Sequence, residues 1–310
     1  MNPGPMNPGA ELVAALRTDV VGRRREIEAV VAALGAGRHL LLEGPPGTGK
    51  STLLRAVAQA SGMDFELVEG NAELTPGRLI GTFDPAAVLE TGYAPDVFLD
   101  GPLTSALRDG ALLYIEEINR VPEETLNVLI TVMSEGELHV PRLGRIVAAA
   151  GFRLVAAMNP FDAVGTARIS SAVYDRCCRL SMGYQSADDE ALIVGRSSGA
   201  ELAAGFVLQT VALVRATRDH PDLRSGSSVR GAIDFVLLVA ELARLRSVGP
   251  LDAGVTLDAA QLALSGRIRV REGSSRSAED VVDELWRRFF APVDDDGRPA
   301  GSSGTDDPKG

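Results

Sequence analysis

The sequence predicts an α/β fold: a three-layer domain built on a parallel sheet, followed by a smaller all-helical domain. Three observations carry this. A glycine loop, Gly44-Pro45-Pro46-Gly47-Thr48-Gly49-Lys50-Ser51, sits between a short apolar strand and a helix and fits the phosphate-binding pattern G-x-x-x-x-G-K-[ST]. Further strands, each nearly all apolar, alternate with helices, as in a parallel sheet covered on both faces. After about residue 186 the strand pattern stops and only helical spacing remains.

In chain order, residues 1–10 read as a disordered leader, rich in Gly, Pro and Asn, with no basic region followed by an apolar one. Residues 11–34 have helical periodicity, broken at Asp19-Val20-Val21-Gly22-Arg23. His39 to Glu43 is the first strand, and the helix after the loop includes Thr52 to Ala58. Asp64 to Glu69 is the second strand. Residues 70–110, rich in Gly and Pro, hold several short elements. Ala111 to Glu116 is the third strand, Pro122 to about Glu135 a helix, and residues 136–150 a small hairpin turning near Pro141 and Gly144. Phe152 to Ala157 is the fourth strand and Cys177 to Met182 the fifth. The first domain thus spans residues 11–186. Helices at about 188–197, 201–219, 228–247, 256–264 and 277–290 make the second, residues 187–290. Residues 291–310 are predicted to be a disordered acidic tail, since Asp294 to Gly310 hold five Asp against one Arg and one Lys.

Composition narrows the function classes. The 310 residues carry a formal net charge of −11, the opposite of the basic footprint that sequence-independent nucleic-acid binding needs. Nucleic acid is therefore not an expected partner. The two cysteines, Cys177 and Cys178, are adjacent on one strand and point to opposite faces, so no disulfide framework is expected. No apolar run approaches the roughly 18 residues of a membrane span. These features predict a cytoplasmic protein.

The loop chemistry is specific. Gly47 and Gly49 permit positive φ and close backbone approach. The loop N–H groups and the start of the next helix form an anion nest, so the stretch from Gly44 through Pro45, Pro46, Gly47, Thr48, Gly49, Lys50 and Ser51 to Thr52 is the candidate phosphate site. Lys50 would bridge β- and γ-phosphates, and the Ser51 hydroxyl would ligate Mg²⁺. The third strand ends in Glu116-Glu117, at the same sheet edge as Lys50 by the rule that ligands sit beyond the carboxyl ends of parallel strands. Glu116 is assigned to the metal and Glu117 to polarising the attacking water. Asn159, after the fourth strand, could orient that water, although Asn-Pro is also a common turn. Arg176 is suited to neutralising charge on a transferring phosphoryl group, with Arg168 and Arg179 as rivals and a surface ion pair as the plain alternative. Arg230 opens an apolar helix, where a cation opposes the macrodipole, and this suggests an anionic ligand over an ordinary surface arginine. Tyr93 and Phe98, in the inserted stretch between the second and third strands, could grip a partner, but buried packing is the favoured expectation.

With these motifs in place, residues 12–290 resemble an AAA+ ATPase, and within that group the MoxR family. The anchors are Asp19 to Arg23, Leu41 to Lys50, Gly101-Pro102-Leu103, Glu117-Ile118-Asn119-Arg120, Ala156 to Pro160, Tyr174-Asp175-Arg176 and Ser228-Val229-Arg230. The resemblance implies that Gly44 to Ser51 is Walker A, Glu116-Glu117 Walker B, Asn159 sensor 1, Arg176 an arginine finger and Arg230 sensor 2. It implies ATP and Mg²⁺ as cofactors and a ring of copies of this chain, a hexamer, with ATP at subunit boundaries. Residues 82–103 would be the helix-2 insertion, and residues 136–150 the hairpin before sensor 1. The chain departs from the family in having Glu116 where Asp is usual, so the link to the metal must be re-aimed.

The resemblance further implies ATP-driven remodelling or maturation of a partner protein, often together with a von Willebrand A domain protein. Two alternatives belong to other classes. One is a nucleic-acid motor or loader, against which the charge argues. The other is a weakly hydrolysing, nucleotide-dependent assembly scaffold of gas-vesicle type, which Glu116 keeps open.

Overall fold

Short runs of Leu, Ile, Val and Ala that lack polar alternation can be buried on both faces, and three such runs align here at the centre of a five-stranded sheet, flanked by the more polar and more exposed edge strands Phe65–Glu69 and Cys177–Ser181. The structure, a computed structural model, describes residues 8–160, 170–199 and 203–291. It divides between Tyr184 and Gln185 into two units. In the first, α1 (Pro8–Asp19) and α2 (Arg24–Gly35) precede β1 (His39–Glu43), α3 (Lys50–Ser61) and β2 (Phe65–Glu69). Next come α4 (Pro76–Ile80), β3 (Gly81–Phe83), α5 (Pro85–Thr91), β4 (Phe98–Asp100), α6 (Pro102–Asp109) and β5 (Leu112–Glu116). Then α7 (Glu123–Glu135) leads through β6 (Glu137–Val140) and β7 (Gly144–Val147) to β8 (Arg153–Met158), α8 (Ser171–Arg176) and β9 (Cys177–Ser181).

The sheet order is β2-β5-β8-β1-β9, parallel throughout. Glu43 pairs with Met158 and with Ser181, and Ile115 with Ala156, so the carboxyl ends of β1, β5 and β8 share one edge. Alternation along the strands makes the three layers. Leu41, Leu113, Ile115, Leu154 and Ala156 face one core with α6 and α7 residues such as Leu103, Leu107, Leu126 and Leu129. Leu40, Leu42, Leu112, Tyr114, Val155 and Ala157 face the other, with Leu16, Ile27, Val30, Leu53, Leu54 and Val57 from α1, α2 and α3. Burying each Leu, Ile or Val among them stabilises the fold by about 1.5–3 kcal/mol.

The helix starting at Pro8 takes in residues assigned to the leader, because proline is tolerated in a first helical turn. The insertion is an antiparallel ribbon, β3 against β4, with α5 between them capped by the Asp84 carboxylate, which accepts from the N–H groups of Ala86 and Ala87. The hairpin β6-β7 has the predicted place, with Arg142 at φ +68° in its turn. Phe98 is buried as expected. Tyr93 is not: it is 53% exposed, packed edge-on to Phe83 and covered by the Arg142 guanidinium 3.7 Å from its ring centroid. A cation can shield the face of a tyrosine at the surface, so the ring needs no core.

The second unit holds α9 (Ala187–Ser198), α10 (Ala204–Ala216), β10 (Leu223–Ser225), α11 (Val229–Arg246), α12 (Ala253–Leu264), β11 (Arg269–Val270) and α13 (Ala278–Phe290). Its helices pack around Phe206, Phe235, Val239, Leu264, Leu285 and Trp286. The Trp286 indole N–H donates to Thr256 Oγ1 at 3.1 Å, which satisfies a buried polar atom. A Ser277–Asp280 capping box starts α13. The unit is helical as predicted, with one addition, the short antiparallel β10-β11 ribbon. Strands of three and two residues are too brief to show an alternation in sequence. The predicted tail lies outside the described residues apart from Ala291. No helix among the described residues is long and apolar enough to cross a membrane.

Candidate functional site

The loop between β1 and α3 owes its shape to three glycines. Gly47 and Gly49 adopt φ of +74° and +83°, values that L side chains rarely take. Gly44 is fixed by space instead: a Cβ there would sit 2.0 Å from the Met182 carbonyl oxygen. The Lys50 ammonium donates to the carbonyls of Gly44 and Pro45 at 2.8 and 2.9 Å. Thr48 Oγ1 donates to Pro45 O at 3.0 Å. From outside the loop, the buried Arg23 guanidinium donates to Thr48 O and Gly183 O, each at 2.7 Å, and pairs with Glu26 at 2.9 Å. Arg23 was not assigned a role from sequence, and it clamps the loop's far side.

Ser51, the second residue of α3, points at the end of β5. Its hydroxyl donates to Glu116 Oε1 and lies 3.4 Å from the Tyr114 hydroxyl, which donates to the same oxygen at 3.0 Å. Tyr114 and Glu116 are two apart on one strand and so share a face. The Tyr114 phenol is buried, and burial pushes its pKa well above the ordinary 10.0, so it remains a donor. Glu117 follows at φ +50° and ψ +43°, the left-handed region, and its carboxylate pairs with Arg120 at 3.1 Å. Gly70 allows this bend: its N–H donates to Glu116 O at 2.8 Å, and a Cβ there would sit 2.5 Å from Glu117 O.

The structure therefore brings Gly44 to Ser51, Glu116 and Glu117 together at one sheet edge, and Asn159 follows β8 at that edge, half-buried. Thr52 lies within the first turn of α3. Arg176 ends α8, where its Nε donates to Ser134 Oγ near the end of α7 and its Nη1 to Ala172 O at 3.0 Å. Arg179 is engaged by Glu43, with Nη2 2.5 Å from Oε2. Arg168 lies outside the described residues. Arg230 is the second residue of α11 in the other unit and is exposed.

The donor set suits a magnesium ion. Mg²⁺ is usually held by one or two carboxylates together with substrate phosphates and water, not by an all-protein cage. Ser51 and Glu116 offer such a pair of hard oxygens, and among the described residues no cluster of three or more His, Cys, Asp or Glu competes with them.

Comparison with known proteins places this geometry in context. Residues 39–177 match the family described as AAA domain, dynein-related subfamily. The uncharacterized protein YojN of Bacillus subtilis is 31% identical over 237 residues, which are 69% of this chain and 77% of that protein. The uncharacterized protein SERP0979 of Staphylococcus epidermidis is 28% identical over 223 residues, 70% of this chain and 81% of that one. Among solved structures, a protein of Cytophaga hutchinsonii provisionally described as an ATPase matches with a TM-score of 0.52 at 20% identity, over 91% of this chain and 94% of that one. The Thermotoga maritima RuvB Holliday junction branch migration motor matches with a TM-score of 0.51 at 20% identity, over 84% and 69%. These structural likenesses show the fold.

Proposed function

The chain belongs to the AAA domain family, dynein-related subfamily, and on that premise we propose that it binds and hydrolyses ATP to remodel or mature a partner protein. The observation that carries this is the convergence of the Lys50 loop, the Ser51–Glu116 contact and Glu117 at a single sheet edge. In this reading the loop N–H groups and Lys50 bind the phosphates, and Ser51 and Glu116 hold Mg²⁺. The metal supplies charge neutralisation on the phosphate oxygens. Glu117 orients and deprotonates the attacking water, Asn159 helps to place it, and Arg176 serves the site of a neighbouring copy in a ring, a hexamer. Arg230, on the helical unit, reads the bound nucleotide.

Within the family, the sequence anchors Gly101-Pro102-Leu103 and Glu117-Ile118-Asn119-Arg120 favour a MoxR-type remodeller, and that resemblance alone suggests action with a von Willebrand A domain protein in the cytoplasm. A second reading, a slowly hydrolysing assembly scaffold, is favoured by Glu116 in the place of the usual aspartate. The test is Mg²⁺-dependent phosphate release by the purified chain, together with its assembly state with and without ATP. Turnover with nucleotide-dependent assembly supports the remodeller. Tight ATP binding without turnover supports the scaffold, and indifference to ATP refutes both.

A further inference from the structure

Glutamate in the place of aspartate adds one methylene and one torsion between backbone and carboxylate. Left free, that arm would swing about 1.5 Å further and sample several rotamers. In this structure it does not, because two hydroxyls meet on one oxygen: Tyr114 Oη at 3.0 Å and Ser51 Oγ both donate to Glu116 Oε1. The tyrosine is itself enclosed by packing. It is fully buried in the core facing α3, with its ring tilted 38° to Phe65 at a centroid distance of 6.0 Å.

We propose that Tyr114 is a positioning residue whose phenol pins the longer Glu116 side chain against Ser51, so that this glutamate does the metal-binding work of the shorter acid. The proposal deepens the ATPase reading and rests on it. It makes Tyr114 and Glu116 a matched pair: the phenol needs the long acid to reach it, and the long acid needs the phenol to hold it. Aspartate at 116 would withdraw from Tyr114 Oη and leave a buried hydroxyl poorly satisfied.

The full chain, Tyr114→Phe, Glu116→Asp and the double variant are titrated with a fluorescent ATP analogue, with increasing Mg²⁺ and separately in excess EDTA. Tyr114→Phe should raise the Mg²⁺ needed for half-maximal enhancement about tenfold, the scale of a hydrogen bond to a charged group, and leave the EDTA affinity unchanged. The double variant should be no worse than Glu116→Asp alone, since the two changes break one interaction. An unchanged Mg²⁺ dependence in Tyr114→Phe overturns the proposal. So do multiplicative effects in the double variant, or an equal loss in EDTA, which marks a purely structural tyrosine. If the unaltered chain ignores the analogue in both conditions, the ATPase reading fails and takes this one with it. If the unaltered chain responds to Mg²⁺ and Tyr114→Phe matches it, the positioning role alone fails.

Discussion

Arg179 closes on Glu43, the residue that immediately precedes the phosphate loop, with Nη2 2.5 Å from Oε2. The carboxylate is 3% exposed, the arginine 61%, and the second carboxylate oxygen accepts from the Tyr174 hydroxyl at 2.9 Å. One buried acid thus ties β1 to β9 and to α8, the helix that ends in Arg176.

Glu43→Gln keeps an acceptor for Tyr174 and removes the ion pair. Because Arg179 can turn back into water, the expected loss is about 1–2 kcal/mol, below the range for a fully buried pair. Urea unfolding measures it; a loss of more than about 4 kcal/mol would mean that the arginine is trapped.

Glu117→Gln should bind ATP with near-normal affinity and lose at least about a hundredfold in phosphate release, the scale of general-base catalysis. Undiminished turnover in that variant would remove Glu117 from its role.

Arg176→Ala and Lys50→Ala should each abolish turnover alone. If Arg176 serves a neighbouring copy, mixing the two variants recovers part of the activity, since some interfaces pair an intact loop with an intact arginine. Mixtures as inactive as either variant would place Arg176 in the service of its own subunit or of structure alone.

His39 offers a pH test of the fold. Burial and the charges of Arg153 and Arg38 lower its pKa from 6.5 to about 4, and its Nδ1 accepts from the Leu154 N–H at 3.0 Å. The folded state therefore holds the ring neutral where the unfolded chain would protonate it. This contribution is complete above pH 6.5 and fades as pH falls toward 4, by up to about 3 kcal/mol. In His39→Gln, stability measured by denaturant unfolding should fall less steeply across that window. An identical slope in both proteins would show that carboxylates account for all of it.

Much of the fold was legible because the sheet is parallel and buried. Leu40 to Leu42, Ala111 to Ile115 and Leu154 to Ala157 are apolar throughout, and only strands covered on both faces tolerate that. That the glycine loop and the two acids meet at one sheet edge was legible because the loop pattern fixes residue types at short spacing and the acids directly end a buried strand. Arg23 was not, since its partners Thr48 and Gly183 lie 25 and 160 positions away. Tyr114 had a visible signal, two residues before Glu116 on a strand, but its aromatic body reads as ordinary core. Tyr93 read as core for the same reason, and the cation that shields it comes from the hairpin turn at Arg142.

Glu117 sits in a left-handed turn at φ +50°, where a residue with a Cβ is disfavoured by roughly 1–2 kcal/mol relative to glycine. Glycine would fit that turn more comfortably and would delete the carboxylate. With Glu117 as the proposed base, stability and catalysis at this position would pull selection in opposite directions, and a search for hardier variants that ignored activity would drift toward an inert protein.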